Sequence, residues 1–317
     1  MKKILVTGGL GYIGIELVNT LAKKYKVIVY DLALFGMPKK VDKRIKIFKK
    51  NFNSIKKKDL KNIDTVIHLA SISNDPAVEL NPQISWENNV LFTYQLLDQC
   101  KKAKIKKFIF ASSGSVYGIK KEKQVTEELD LLPVSEYNKT KMVGERLVLS
   151  YSKYFTTTII RPATVCGFSN SMRLDVSVNI LTYHALSKSK ITILGGKQFR
   201  PNVHIKDMIR AYEFFVKKDK FGVFNLGFEN LKIESIAKLI ENNLNKKITV
   251  IRKKTKDVRS YRLDSSKLIK IGFKPKFKVI DAIKEITEAY NSKIINNKKN
   301  YYRINFLKAK LVKKDEF

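Results

Sequence analysis

A phenol and an ammonium stand four residues apart in Tyr137-Asn138-Lys139-Thr140-Lys141. On a helix that spacing stacks both groups on one face. The neighbouring positive charge favours the phenolate and lowers its pKa from the ordinary value of about 10. Tyr137 can then take a proton from a substrate hydroxyl while hydride leaves the same carbon. In a chain with 63 Lys and Arg residues such a pair arises readily by chance, so its surroundings decide its meaning. Ahead of it lies a strand-like run that ends in hydroxyls, Phe108-Ile109-Phe110-Ala111-Ser112-Ser113-Gly114-Ser115. A hydroxyl at that strand end can bridge the reacting oxygen to Tyr137.

A hydride needs an acceptor, and the N-terminus reads as the place that holds one. Lys3-Ile4-Leu5-Val6-Thr7 is a short apolar strand, followed by Gly8-x-x-Gly11-x-x-Gly14 and the start of an amphipathic helix. Gly8 takes the tight turn, Gly11 lets the backbone approach a pyrophosphate, and Gly14 lets the helix pack close to the sheet. Val27-Ile28-Val29-Tyr30-Asp31 then reads as a second strand ending in a carboxylate. An acid there accepts hydrogen bonds from an adenosine ribose diol and repels the extra phosphate of NADP. Strand, glycines, helix, strand and acid in this order point to NAD, with Lys141 also placed to hold the nicotinamide ribose.

These groups need a scaffold that brings them to one edge. Further strand-like runs at 45–48, 65–70, 108–111 and 157–162 alternate with helical stretches near 84–103 and 138–153. The alternation predicts an α/β fold of Rossmann type, a doubly wound parallel sheet with ligands at the C-terminal strand ends. From about residue 168 the pattern is mixed, with helices at 175–188, 205–217 and 233–244 and strands at 191–194, 223–226 and 248–251. The expected organisation is an NAD-binding domain over 1–167 with return segments near 191–228. A smaller, discontinuous α/β substrate lobe follows over 168–290, and then a basic extension over 291–317. That extension, rich in Lys and Asn with Tyr301, Tyr302, Phe306 and Leu307 interleaved, reads as a partly ordered tail. A docked helix and a basic membrane-surface segment are the alternatives.

The net charge is +34, yet the lysines are spread along the chain as doublets at helix ends and loops. That distribution argues against a dedicated nucleic-acid surface and suits attraction of a phosphorylated small substrate. No apolar run approaches membrane-spanning length and the start shows no signal-peptide pattern, so a soluble cytoplasmic protein is expected. The two cysteines, Cys100 and Cys166, fit a reducing compartment, and three scattered histidines offer no metal site.

With these motifs in order, the chain resembles the extended short-chain dehydrogenases, in particular the NAD-dependent epimerase/dehydratase group acting on nucleotide sugars. The resemblance covers roughly 1–290. It implies that Ser113 is the catalytic hydroxyl, with Ser112 and Ser115 as near alternatives. It implies that Tyr12 and Ile13 offer backbone donors to the pyrophosphate. Asn51 falls where many members place an Asp near the adenine. Leu69, Ala70 and Ser71 match the strand end lining the cofactor, Asn89 a position near it, and Pro162 the residue beside the carboxamide.

On the substrate side the resemblance implies that Asn179 donates to a nucleotide diphosphate and that Arg200 clamps phosphate oxygens, for which a planar guanidinium is suited. Asp257 matches a ribose-binding acid. Lys254 stands where many members have an Arg, a charge that Arg259 or Arg262 can supply. Ser115 and Thr164 face the sugar in this match, and Arg173 is either a sugar or phosphate contact or a structural salt bridge. Members commonly pair the helices matching 84–103 and 138–153 across an interface, which implies a homodimer.

Two departures narrow the reaction. The 4,6-dehydratase branch carries an acid pair after the catalytic hydroxyl, because protonating a leaving hydroxyl needs an acid. Here Gly114 and Ser115 stand there. Thr164 replaces an Asn common in epimerases, and 172–179 looks like the matching segment of bacterial GDP-heptose C4 dehydrogenases. The expectation is a nucleotide-sugar 4-epimerase that oxidises C4. A C4 dehydrogenase of surface-polysaccharide synthesis is the alternative, and a non-catalytic NAD-binding regulator a further one.

Overall fold

The computed structural model describes residues 1–244, 246–255, 260–296 and 298–311. Among the described residues twelve strands run in chain order: β1 (Lys3–Thr7), β2 (Lys26–Tyr30), β3 (Lys46–Phe48), β4 (Thr65–His68), β5 (Lys107–Ala111), β6 (Thr156–Pro162), β7 (Thr164–Cys166), β8 (Lys190–Leu194), β9 (Phe199–His204), β10 (Gly222–Leu226), β11 (Glu229–Lys232) and β12 (Thr249–Lys253). The helices are α1 (Gly14–Leu21), α2 (Asp75–Leu80), α3 (Pro82–Trp86), α4 (Phe92–Ala103), α5 (Glu136–Ser150), α6 (Ser177–Lys188), α7 (Ile205–Lys217), α8 (Ile233–Leu244), α9 (Ser266–Lys270), α10 (Val279–Asn291) and α11 (Arg303–Leu311).

Seven strands form one sheet in the order β10-β6-β5-β4-β1-β2-β3, and every neighbouring pair is parallel. Parallel strands need crossovers, so helices cover both faces and the strands read as continuous apolar runs. The alternation of side chains divides each run between two cores. Ile4, Val6, Ile67 and Ile109 face α1 and α7, whereas Leu5, Val66, Phe108 and Phe110 face α4 and α5. The strand order reverses between β1 and β4, and a cleft opens at such a switch point beyond the carboxyl ends.

The rest of the chain builds a smaller lobe. β11, β9 and β7 form a three-stranded sheet, and β8 pairs with β12. A third core joins α6, α8 and α10 through Val178, Ile236, Ile240 and Ile283. Of the segment 191–228, β10 returns to the seven-stranded sheet while β8 stays in the smaller lobe. Within the extension, the described helix α11 docks against α2, with Leu307 buried among Ile72, Ala77, Val78 and Ile84. Burial of Leu307 and Arg303 on one face supplies the apolar contact that a lysine-rich composition conceals.

Candidate active site

The glycine turn follows β1 with Gly8 at φ +71°, where a Cβ would lie 2.7 Å from the Ala70 nitrogen. A Cβ on Gly14 would lie 2.2 Å from the Gly8 carbonyl oxygen, so α1 starts as close to the turn as backbone allows. At Gly11 the nearest neighbour of such an atom is the Gly8 oxygen at 3.4 Å, leaving the cleft side open for a ligand to approach bare backbone. Gly8, Gly11, Tyr12, Ile13 and Gly14 all line the cleft.

Asp31 lies at the end of β2 with both oxygens engaged: Leu10 N–H donates to Oδ2 at 2.9 Å and Ala33 N–H to Oδ1 at 2.7 Å. Burial pushes its carboxyl up, and those two hydrogen bonds oppose the shift. Asn51 accepts from Asn53 N–H through Oδ1, while its Nδ2 is buried with no hydrogen-bond partner. Asn51 lines the cleft, so a bound ligand could supply the acceptor that this buried donor lacks. The bare backbone at Gly11, the fixed carboxylate and this orphaned donor fit a bound dinucleotide.

The catalytic candidates come from β5 and α5. Ser135 caps α5 by accepting from Asn138 N–H at 3.2 Å, which sets Tyr137 in the first turn and Lys141 one turn on. Lys141 Nζ donates to the Ala111 carbonyl at 2.9 Å and lies 6.0 Å from the Tyr137 ring centroid. Ser113 Oγ lies 2.7 Å from Ser115 Oγ, and its interaction with Tyr137 favours the phenolate. Ser112 also lines the cleft, but its hydroxyl is committed to Glu145, which is paired bidentately with Arg161. Ser113 is therefore the strand-end hydroxyl left facing the phenol.

The expected lowering of the phenol is not what the chain produces. Burial pushes Tyr137 up to about 12, outweighing the downward pull of Arg173 and of the Ser113 hydrogen bond. Burial also brings Lys141 down to about 8, against the opposing charge of Glu145. Lys141 is buried and Tyr137 partly so, and desolvation penalises whichever form is charged.

The cleft gathers most of the residues singled out from sequence. Leu69, Ala70 and Ser71 line it from the end of β4, and Pro162 and Thr164 from β6 and β7. Arg173 is both a wall of the cleft and a salt bridge, its Nε 2.6 Å from Asp175 Oδ1. Four others are turned elsewhere. Asn89 spends its amide on both backbone groups of Ile72 and on Thr140 Oγ1, and Asn88 lines the cleft instead. Asn179 is buried, accepting from Gly167 N–H and donating to Tyr12 Oη and the Arg173 carbonyl, so it braces the glycine turn. Ser115 donates to Asn138 Oδ1 behind Ser113. Arg200, on β9, is not among the residues lining the cleft, and its Nη1 donates to the Phe199 carbonyl. Asp257 and Arg259 lie outside the described residues.

Sequence reasoning missed Lys50, Arg303 and Leu307, all of which line the cleft. Arg303 and Leu307 stand four apart, the one-face spacing that marked Tyr137 and Lys141. Asp31 is the only carboxylate among the described cleft-lining residues, against Lys50, Lys141, Arg173 and Arg303. The cleft is cationic and suits an anionic ligand.

Residues 4–227 match the model of the NAD dependent epimerase/dehydratase family. The chain belongs to that family. Among curated relatives of this family member, the UDP-glucose 4-epimerase of Lactobacillus helveticus is 30% identical over 312 residues, covering 89% of this chain and 94% of that protein. Of solved epimerase/dehydratase family structures, the UDP-N-acetylglucosamine 4-epimerase from Methanobrevibacter ruminantium M1, in complex with UDP-N-acetylmuramic acid, matches with a TM-score of 0.86 at 27% identity. It covers 92% of this chain and 99% of its own. The UDP-glucuronic acid 4-epimerase from Bacillus cereus, in complex with UDP-glucuronic acid and NAD, matches with a TM-score of 0.82 at 30% identity, over 92% and 100%.

Proposed function

We propose that this family member is an NAD-dependent nucleotide-sugar 4-epimerase. The observation that carries the reading is the meeting of Ser113, Tyr137 and Lys141 in a cationic cleft with Asp31 as its single described carboxylate. Bound in its oxidised form, NAD would supply the hydride acceptor and a positive charge that favours the phenolate over the effect of burial. Gly8, Gly11, Gly14 and the backbone of Tyr12 and Ile13 would hold its pyrophosphate, Asp31 the adenosine ribose, and Asn51 the adenine. Lys141 would hold the nicotinamide ribose, with Pro162 and the β4 end as walls.

Tyr137 takes the proton of the C4 hydroxyl and later returns it, and Ser113 orients the same oxygen. Thr164 and Arg173 bound the sugar and diphosphate side. Dehydration needs an acid at the leaving hydroxyl. The described lining offers none there, which supports plain hydride chemistry at C4. A homodimer is proposed through the α4 and α5 helices, with Leu91 just before α4, Tyr94 on it and Tyr154 shortly after α5 as exposed apolar groups. A cytoplasmic site of action is proposed alongside, where nucleotide sugars and free thiols such as Cys100 and Cys166 coexist.

The test is incubation of purified protein with UDP-, GDP-, CDP- and dTDP-sugars, resolving sugar products and NADH. A 4-epimer without net NADH supports the proposal. Stoichiometric NADH with a 4-keto sugar makes the protein a C4 dehydrogenase instead. Binding of NAD with no turnover of any sugar favours a regulator.

A further inference from the structure

The segment after α10 reaches across both walls of the cofactor cleft. On one wall, the loop after β2, Asn300 Nδ2 donates to the Phe35 carbonyl at 2.8 Å and the rings of Phe306 and Phe35 lie 5.6 Å apart. On the other, Leu307 is buried against Ile72 and the α2 residues Ala77 and Val78. A backbone bond from Leu174 N–H to the Tyr301 carbonyl ties the segment to a third side. Between these anchors Arg303 enters the cleft, 6% exposed, its guanidinium carbon 3.8 Å from the Phe35 ring centroid.

Among the described residues, Arg303 hydrogen-bonds neutral oxygens only. Its Nη2 donates to the Ser171 carbonyl and hydroxyl and to the Met172 carbonyl, at 2.8–3.3 Å. That loop rests on the start of α1, with Ser169 Oγ donating to the Tyr12 carbonyl at 2.7 Å and Asn170 N–H to Glu16 at 2.8 Å. A buried guanidinium is thus tied through this loop to the helix that the glycine turn opens, and it lines the same cleft with a fork suited to phosphate oxygens.

We propose that residues 299–311 form a clasp over the cofactor cleft and that Arg303 is a dinucleotide-binding residue whose guanidinium pairs with phosphate oxygens. The proposal rests on the NAD reading above. One further fact agrees with it. Burial and the nearby Arg173 hold Arg303 down to about 10, although Asp175 and Asp31 pull the other way, and a bound anion would relieve that burden. Retention suits a reaction that returns the hydride to its substrate, since the cofactor need never leave.

The test is the rate at which bound NAD exchanges with labelled NAD in the full chain, compared with Arg303→Met and Arg303→Lys. Loss of a charge-assisted contact predicts exchange about 10- to 100-fold faster in Arg303→Met, with a smaller acceleration in Arg303→Lys. Exchange at the wild-type rate, or slower, overturns the clasp. A lowered cofactor-free Tm with unchanged exchange makes Arg303 a structural residue and overturns it equally. Should Arg303→Met fail to fold, Arg303→Lys decides, because it keeps charge and stem while losing the fork. A wild-type chain that binds no NAD removes the functional reading itself; equal binding and exchange in all three forms removes only the clasp.

Discussion

Lys141 is hydrogen-bonded to the last residue of β5, its Nζ 2.9 Å from the Ala111 carbonyl oxygen. That one bond ties a helix to the strand that ends in Ser112 and Ser113. It places Tyr137, one turn earlier on α5, against Ser113. The ammonium is thus a mechanical link as well as a charge, and its loss would free the phenol and the hydroxyl to drift apart.

Tyr137→Phe removes the group that carries the proton and leaves the glycine turn intact. The variant is expected to fold, to bind NAD and to lose about 10²- to 10⁴-fold in kcat. Ser113→Ala is expected to lose about 10- to 100-fold, as for a hydrogen bond to a charged partner, and Ser115→Ala much less. Turnover measured by product chromatography checks all three. Equal losses at Ser113 and Ser115 would contradict the division drawn between them.

His68 should make the protein acid-sensitive. Its ring is buried between Thr7 Oγ1 at 2.6 Å and Thr93 Oγ1 at 3.0 Å, and burial holds its pKa down to about 3 against an ordinary 6.5. The folded pKa is depressed, so the unfolded chain takes up the proton first. The contribution is whole above pH 6.5 and falls by about 1.4 kcal/mol per pH unit below it. From pH 7 to pH 5 a loss of about 2 kcal/mol is expected. Urea unfolding at both pH values should show a flatter dependence in His68→Gln than in wild type.

The buried pair of Arg161 and Glu145, 2.7 Å apart and bonded to Tyr117 and Ser112, stands behind the catalytic wall. Arg161→Met should cost about 3–5 kcal/mol, because Glu145 is left buried without its partner. Arg161→Met with Glu145→Leu should recover a large part of that loss. A double-mutant cycle by urea unfolding reads the coupling, and simple additivity would deny it.

Two glycines of one turn should fail differently. Gly14→Ala places a methyl 2.2 Å from the Gly8 oxygen, where backbone must move, and is expected to cost about 1–3 kcal/mol in stability. Gly11→Ala meets only ordinary contact at 3.4 Å, so the fold should hold while the methyl displaces the dinucleotide. Tm and NAD titration on both variants separate the two effects.

The glycine turn, the parallel sheet and the pairing of Tyr137 with Lys141 were legible because each rests on local spacing. Glycine positions, short continuous apolar runs and a four-residue interval are written in neighbouring residues. The direction of the Tyr137 shift was not, since it depends on how deeply distant segments bury the phenol. The aim of Asn89 and Asn179 was hidden for a like reason. An amide at a helix position can face a ligand or brace a loop, and only packing decides. Arg303 lay in a lysine-rich stretch whose composition suggested solvent, although Tyr302–Phe306 and Arg303–Leu307 repeat at helical spacing.

The place of β10 at the edge of the main sheet has a bearing on biosynthesis. Its partner β6 is made before residues 163–221, and β10 completes the sheet only after them. Until then the nascent chain presents a raw edge, with Ile159 and Ile160 destined for the interior. Such an edge invites pairing with another copy. A chain halted between the two strands would keep that edge open, so the span from β6 to β10 is the stretch of synthesis most exposed to wrong pairing.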